Sequence, residues 1–208
     1  MARRFVGPKL VVATHNRGKA GEIRTMLSGF GVEIVSADEL GLPVPEETGT
    51  TFEENATLKA LAATRASGLP ALADDSGLSV AALDGQPGLY TADWESPTRD
   101  AMVGMKRIQD ELAKRKVPDT DAARGATFHC VLALAWPDEH VELVHGTLDG
   151  RIVWPPRGSG GHGYDPCFQP FGQKGGETRT TAEMTDAEKN AISHRGRAFR
   201  MLVEACFK

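Results

Sequence analysis

Cysteine is scarce in this 208-residue chain. Cys130, Cys167 and Cys206 lie far apart and form no CxxC pair, which argues against a disulfide framework or a cysteine zinc site. The expectation is buried thiols in a reducing compartment. An excess of basic charge is also missing. With a formal net charge of −4, stable binding to long nucleic acid is not expected, although a local basic pocket for a small anion remains open. No apolar run is long. The stretch from Val131 to Trp136 falls far short of the ~20 residues that span a bilayer, so no membrane partner is expected. The N-terminal MARRFVGPKLVV has only a short apolar stretch and passes directly into THNRGK, so a cytoplasmic protein is expected rather than a secreted one.

What is present is ordinary for a globular chain: 40% hydrophobic and 25% charged residues, enough to bury a sizeable core. Lys9 to Ala13 reads as a buried first strand. Ile23, Met26, Leu27 and Phe30 recur at helical spacing, predicting a helix from about Gly18 to Ser28 that Gly29 ends. Val32 to Val35 reads as a second strand. Thr51-x-x-Glu54 has the form of a capping box before an alanine-rich helix that stops at Gly68. Leu69 to Ala73 predicts a third strand ending at Asp74-Asp75-Ser76-Gly77, with Leu78 to Leu83 a candidate for another. Pro97 would open a helix to about Lys116. Phe128 to Trp136 and His140 to Thr147 predict an antiparallel hairpin across Pro137-Asp138-Glu139. Arg151 to Trp154 would add an edge strand, and a helix from about Ser193 to Cys206 would close the chain. Strands alternating with helices, plus a hairpin, imply an α/β fold with a mixed sheet, in two lobes of a single domain spanning residues 1–208.

Five segments carry candidate chemistry. Thr14, His15, Asn16, Arg17, Gly18 and Lys19 stand where the first strand gives way to a helix, whose N-terminus favours anions; an ordinary strand–helix turn is the plain alternative. Asp74-Asp75-Ser76-Gly77 follows an apolar strand. Paired carboxylates there suit Mg²⁺, which binds through one or two carboxylates plus substrate phosphates; one of the two could instead serve as general base, or both could sit in a solvated turn. Glu46 and Glu47 lie outside the alanine-rich helix and are further metal candidates, whereas Glu54 is explained by capping; Lys59 is either a phosphate contact or a solvated lysine. In Gly160-Gly161-His162-Gly163-Tyr164-Asp165, glycines suit a loop folded close to a ligand, and the rings of His162 and Tyr164 suit base stacking. Lys189 and His194 are five apart, on different faces of a straight helix. If both meet one ligand, the chain must turn between them, with Ser193 capping a helix that presents His194 and Arg195.

Taken in order, THNRGK, EETGTTFEENATLKA, LADDSGLSVAALDGQPGLYTADW, FHCVLALA, PRGSGGHGYDPCF and AEMTDAEKNAISHRGRA resemble the inosine triphosphate pyrophosphatase family over nearly the whole chain. The resemblance implies hydrolysis of ITP, dITP or XTP to the monophosphate and pyrophosphate with Mg²⁺. It implies an elongated two-lobed α/β fold with the site in the cleft, and a homodimer. Thr14 to Lys19 and Lys59 would grip the triphosphate. Glu47 and Asp75 would bind the metal, with Asp75 also orienting or deprotonating water. Ser76, Gly163, Tyr164, Asp165, Lys189, His194 and Arg195 would hold the nucleotide. One departure stands out: His162 occupies the place of the family's usual Phe, so the stacking contact should bury less apolar area and respond to pH. Rival readings are a non-catalytic nucleotide sensor, a nucleic-acid binder, and an enzyme of the same class acting on other modified nucleotides.

Overall fold

A computed structural model describes residues 2–15, 17–97 and 99–208, with 17–19 and 22 described only as part of their helix. In chain order the elements are β1 (Lys9–Val12), α1 (Arg17–Leu27), β2 (Glu33–Ser36), α2 (Phe52–Ser67), β3 (Ala71–Val80), β4 (Pro87–Gly88), α3 (Ala101–Lys114), β5 (Gly125–Ala135), β6 (Val141–Ile152), β7 (Phe168–Pro170), α4 (Asp186–Ile192) and α5 (His194–Leu202). The strands form one mixed sheet in the order β2-β1-β3-β5-β6-β7, with β4 against β3. β1 runs parallel to both β2 and β3, whereas β4 and β7 run antiparallel to β3 and β6. This is the expected α/β class.

Two compact units divide the chain: residues 1–75, 130–146 and 198–208 in the first, 76–129 and 147–197 in the second. In the first unit, β5 is buried on both faces, which is why its sequence is continuously apolar rather than alternating. Cys130, Leu132 and Leu134 face a core with Leu10, Ile23, Leu27, Phe199 and Leu202; Val131, Ala133 and Ala135 face Ala56 and Ala60 of α2. Alanines on both sides let α2 lie close to the sheet. In the second unit, α3 buries Met105, Ile108 and Leu112 against Leu78, Val80, Phe128, Leu148, Ile152 and Phe168.

Several boundaries differ from the sequence reading. Asp74 to Gly77 is no turn: β3 runs straight through it to Val80 and meets β4 only beyond it, at Leu78 and Ser79. The residues from Arg151 are the end of β6, not a separate strand. α3 starts after Asp100, whose carboxylate caps Met102 N–H at 2.9 Å, rather than at Pro97. α1 passes into a short 3₁₀ turn, and the left-handed residue is Gly31, not Gly29. Thr51 does cap α2 by accepting from Glu54 N–H, but Glu54 returns its carboxylate to Thr50 N–H at 2.6 Å instead of to Thr51. The final helix changes to a π-helical turn at Val203–Phe207. The hairpin expectation holds: β5 and β6 are neighbours joined by a turn in which Trp136 N–H donates to His140 O at 3.0 Å.

Gly104 of α3 shows how tightly the second unit is built. A Cβ there would stand 2.1 Å from Oη of Tyr164, a buried ring whose hydroxyl donates to Thr91 O at 2.8 Å. Overpacking of this kind costs ~1–3 kcal/mol, more than the ~1 kcal/mol of helix propensity that Ala regains over Gly. Gly104→Ala therefore lowers the thermal midpoint by a few degrees in scanning calorimetry. Adding Tyr164→Phe, which removes the nearest atom, recovers part of the loss; a midpoint above wild type in the single variant contradicts the packing.

Candidate active site

The alternation of β3 places Ala73 and Asp75 on one face of the strand. Ala73 packs under α2, so Asp75 is turned toward the same helix. There Lys59 Nζ donates to Asp75 Oδ1 at 2.8 Å and to Glu47 Oε1 at 2.9 Å. Lys59 and Asp75 are largely buried, with side-chain exposures of 15% and 12%, while Glu47 remains exposed at 47%. The loop carrying Glu47 is pinned by Gly49 N–H donating to Asn55 Oδ1 at 2.8 Å, and Asn55 is buried in α2. A side chain at Gly49 would collide with that same oxygen, so glycine is required there.

The charges do not balance. Burial alone would lower the pKa of Lys59, but Asp75 and Glu47 outweigh it and hold the ammonium above its usual range. Asp75 is pushed up, first by burial and then by Glu47 and Asp74, and Lys59 does not cancel this. Both directions follow from one buried cation shared between two acids, with the charge of Asp74 adding to the load on Asp75. The set lacks positive charge, and its donors are hard carboxylate oxygens. Among the described residues no three acidic, His or Cys side chains converge to hold a metal by themselves. A pair of carboxylates still fits a cation that takes its remaining ligands from water and phosphate.

In the second unit a separate polar centre surrounds Asp165, which is 3% exposed. Its Oδ2 accepts from His162 N–H at 2.7 Å and from Lys189 Nζ at 2.5 Å, and its Oδ1 accepts from Thr181 Oγ1 at 2.7 Å. The glycines of the loop are needed for the chain's own packing. Gly158 and Gly161 are left-handed, and a Cβ would meet Ala182 at 2.5 Å in the first case and Asp165 Oδ2 at 2.2 Å in the second. Arg157 is likewise engaged, with Thr178 O and Glu183. Tyr164 is buried in the core, which corrects the reading of its ring as a stacking surface; His162 is exposed and retains that capacity.

Ser193 ends α4 and caps α5, its Oγ accepting from Gly196 N–H at 3.0 Å. The expected turn between Lys189 and His194 is therefore present. His194 stacks on Phe128 with centroids 4.9 Å apart and planes 16° from parallel. Burial, then the charge of Arg195, pulls its pKa down to about 3, so the imidazole is neutral at physiological pH. Ser76 and Arg195 are half-buried. At the end of β1, Thr14 is buried and His15 Nε2 is 2.8 Å from Leu42 O, and α1 begins at Arg17. Asn16 and the side chains of Arg17 and Lys19, with Gly18, lie outside the described residues.

Two residues near these groups carried no sequence signal. Phe128 meets His194 only through the tertiary fold. Glu95, pushed up first by burial and then by Asp100, has Oε1 3.9 Å from where a Cβ on Gly163 would stand. The three cysteines are buried as expected, and burial raises the Cys167 thiol to about 12 and Cys206 to about 11.

A mixed α/β sheet carries an acid–lysine cluster between β3, α2 and the loop ahead of α2 in the first unit, and an imidazole and a guanidinium at the start of α5 in the second. The chain belongs to the Ham1 family, whose model matches residues 10–205. It is 53% identical over 200 residues to a dITP/XTP pyrophosphatase of Gluconobacter oxydans, covering 96% of this chain and 91% of that protein. It is 54% identical over 205 residues to one of Rhodospirillum centenum, covering 99% and 98% respectively. The solved structure of a HAM1 protein from Coxiella burnetii superposes with a TM-score of 0.86 at 38% identity, covering 95% of this chain and 98% of that one.

The charge excess at Asp75 has a measurable consequence. Because its folded pKa is raised, the favourable term belongs to the protonated form: it is full below the unfolded pKa and is lost as pH rises through the folded pKa. Asp75→Asn therefore raises the thermal midpoint at neutral pH, and the advantage vanishes as pH falls below about 4. A midpoint lowered at neutral pH would show instead that the Lys59 pair outweighs the crowding of acids.

Proposed function

We propose that this chain hydrolyses non-canonical purine nucleoside triphosphates (ITP, dITP, XTP and dXTP) to the monophosphate and pyrophosphate, with Mg²⁺, and so clears them before they enter DNA or RNA. The observation that carries the reading is the Glu47–Lys59–Asp75 cluster, in a chain about half identical to dITP/XTP pyrophosphatases over nearly its full length. Glu47 and Asp75 would hold Mg²⁺, which supplies charge neutralisation on the phosphates and a better pyrophosphate leaving group.

Asp75 is the acceptor for the proton of an attacking water. Its raised pKa brings it closer to working pH than a free aspartate, which suits a general base. The water oxygen forms the new bond to the α-phosphorus, the α–β anhydride bond breaks, and its electron pair leaves on pyrophosphate. Lys59 holds Asp75 in place and gives a cation to the phosphate chain, together with Thr14, His15, Asn16, Arg17, Gly18 and Lys19. Ser76 contributes a hydroxyl beside Asp75.

For the nucleoside, His162 offers the stacking face, Gly163 the close backbone, and Asp165 fixes Lys189. Tyr164 serves by packing. His194 and Arg195 are donors toward the 6-oxo group of hypoxanthine or xanthine. Adenine presents a donor at the same place, and a donor facing a donor is costly.

The chain is proposed to work as one 208-residue domain, in the cytoplasm, as a homodimer that needs no nucleic acid or membrane. No described helix is long and apolar enough to cross a bilayer. A shallow groove between α2 and β6, with Leu58, Leu61, Ala62 and Leu143 at its apolar part and Glu53, Glu54, Thr57 and Arg65 around them, offers a surface for self-association.

Pyrophosphate release from ITP, dITP, XTP, GTP, ATP and dTTP, each with Mg²⁺ and with chelator, tests the assignment. Fast, metal-dependent release confined to the inosine and xanthine nucleotides is expected, and even activity on all six would overturn the selectivity. Asp75→Asn is expected to lower kcat by about 10²-fold or more while ITP still binds in calorimetry. Turnover like wild type would remove Asp75 from the chemistry.

A further inference from the structure

His194 Nδ1 is a buried ring nitrogen with no hydrogen-bond partner among the described residues. Arg124 and Arg151 also leave a buried Nε unmatched, but their guanidinium groups bond elsewhere, to Gln109 and to Asp119 and Asp121. Among the described residues the His194 ring has no such second hydrogen bond; Thr64 Oγ1 and the His129 atom Nε2 are also buried without one, outside this ring stack. Orphaned buried N–H donors are rarer in folded proteins than under-used acceptor lone pairs. The less costly arrangement therefore leaves Nδ1 bare and puts the proton on Nε2. His194 keeps partial exposure while Nδ1 is buried, which leaves Nε2 as the ring nitrogen open to a ligand contact.

The ring plane is fixed from below. Phe128 stacks on it, and Phe128 is itself wedged against Phe168 with centroids 4.3 Å apart. The charged groups around the imidazole are Arg195, Lys189 and His162, which oppose its protonation, and Asp165, which favours it; with burial, the opposing side wins.

We propose that Phe128 and the burial of Nδ1 lock His194 as the Nε2–H tautomer, making Phe128 a positioning residue for base selection. The inference rests on the reading of His194 as a base contact. The tautomer matters because it sets the sign of selectivity. An Nε2–H donates to a 6-oxo group and repels a 6-amino group. The other tautomer presents a lone pair at Nε2, which would accept from adenine and reject hypoxanthine.

The test begins with wild type and needs no variant. Long-range ¹H–¹⁵N correlation spectra of the uniformly labelled full chain, recorded from about pH 5.5 to 8.5 around the free-histidine pKa, report the protonation of each ring nitrogen. The expected result is an unprotonated Nδ1 and a protonated Nε2 for His194, unchanged across the range. An Nδ1–H ring, or a titrating one, overturns the lock. Phe128→Leu should mix the two tautomers and cut the ITP-to-ATP ratio of kcat/KM by about tenfold or more. Phe128→Tyr keeps the ring and should restore both readouts, which a merely structural role would not require. A spectrum altered by Phe128→Leu with the ratio intact overturns the role of Phe128 in selection. The nucleotide panel with wild type tests separately whether the base is read at all.

Discussion

The close approach of α2 to the sheet sets the position of the acidic cluster. Ala56 and Ala60 on the helix meet Ala73, Ala133 and Ala135 on the strands, so little side-chain volume separates the two layers. Lys59 therefore stands near enough to β3 for its ammonium to reach Asp75, and the loop ahead of the helix brings Glu47 to the same nitrogen. Larger residues in these positions would lift the helix and part the lysine from its acid. Backbone packing of small residues thus precedes the chemistry and makes it geometrically possible.

The second constraint is electrostatic. A fold optimised only for stability would not set two acids on one buried lysine with Asp74 beside them in the chain, since an uncompensated charge away from water is costly. The cluster accepts that cost and in return presents a site short of positive charge. The opposite treatment is given to His194, where burial and neighbouring cations remove the charge and leave a neutral ring. One group is kept hungry for a cation and the other is kept neutral.

Local chemistry was well legible in the sequence. Thr51 and Gly68 mark the ends of α2, Ser193 marks the turn between α4 and α5, and the β-rich runs on either side of Pro137-Asp138-Glu139 mark the hairpin of β5 and β6. What failed did so for tertiary reasons. Two adjacent aspartates followed by Ser-Gly look like a turn, but they lie inside the ten-residue strand β3, which runs on to pair with β4 at Leu78 and Ser79. The glycines near His162 suit a ligand-binding loop, yet Gly158 and Gly161 are required by Ala182 and Asp165 of the same chain. Tyr164 beside them was assigned to a ligand but belongs to the core, where Gly104 makes room for it. Phe128 gave no hint of its partner, because a ring stack between a strand and a distant helix leaves no periodic trace.

Asp165 ties together three segments that are remote in sequence: the glycine-rich loop through His162 N–H, the turn at Thr181, and α4 through Lys189. Each bond is short and the carboxylate is nearly inaccessible, so no water can easily substitute for a lost partner. The three segments consequently melt or hold as one cooperative patch rather than fraying independently. The entropy of ordering the three segments is therefore lost once, at folding.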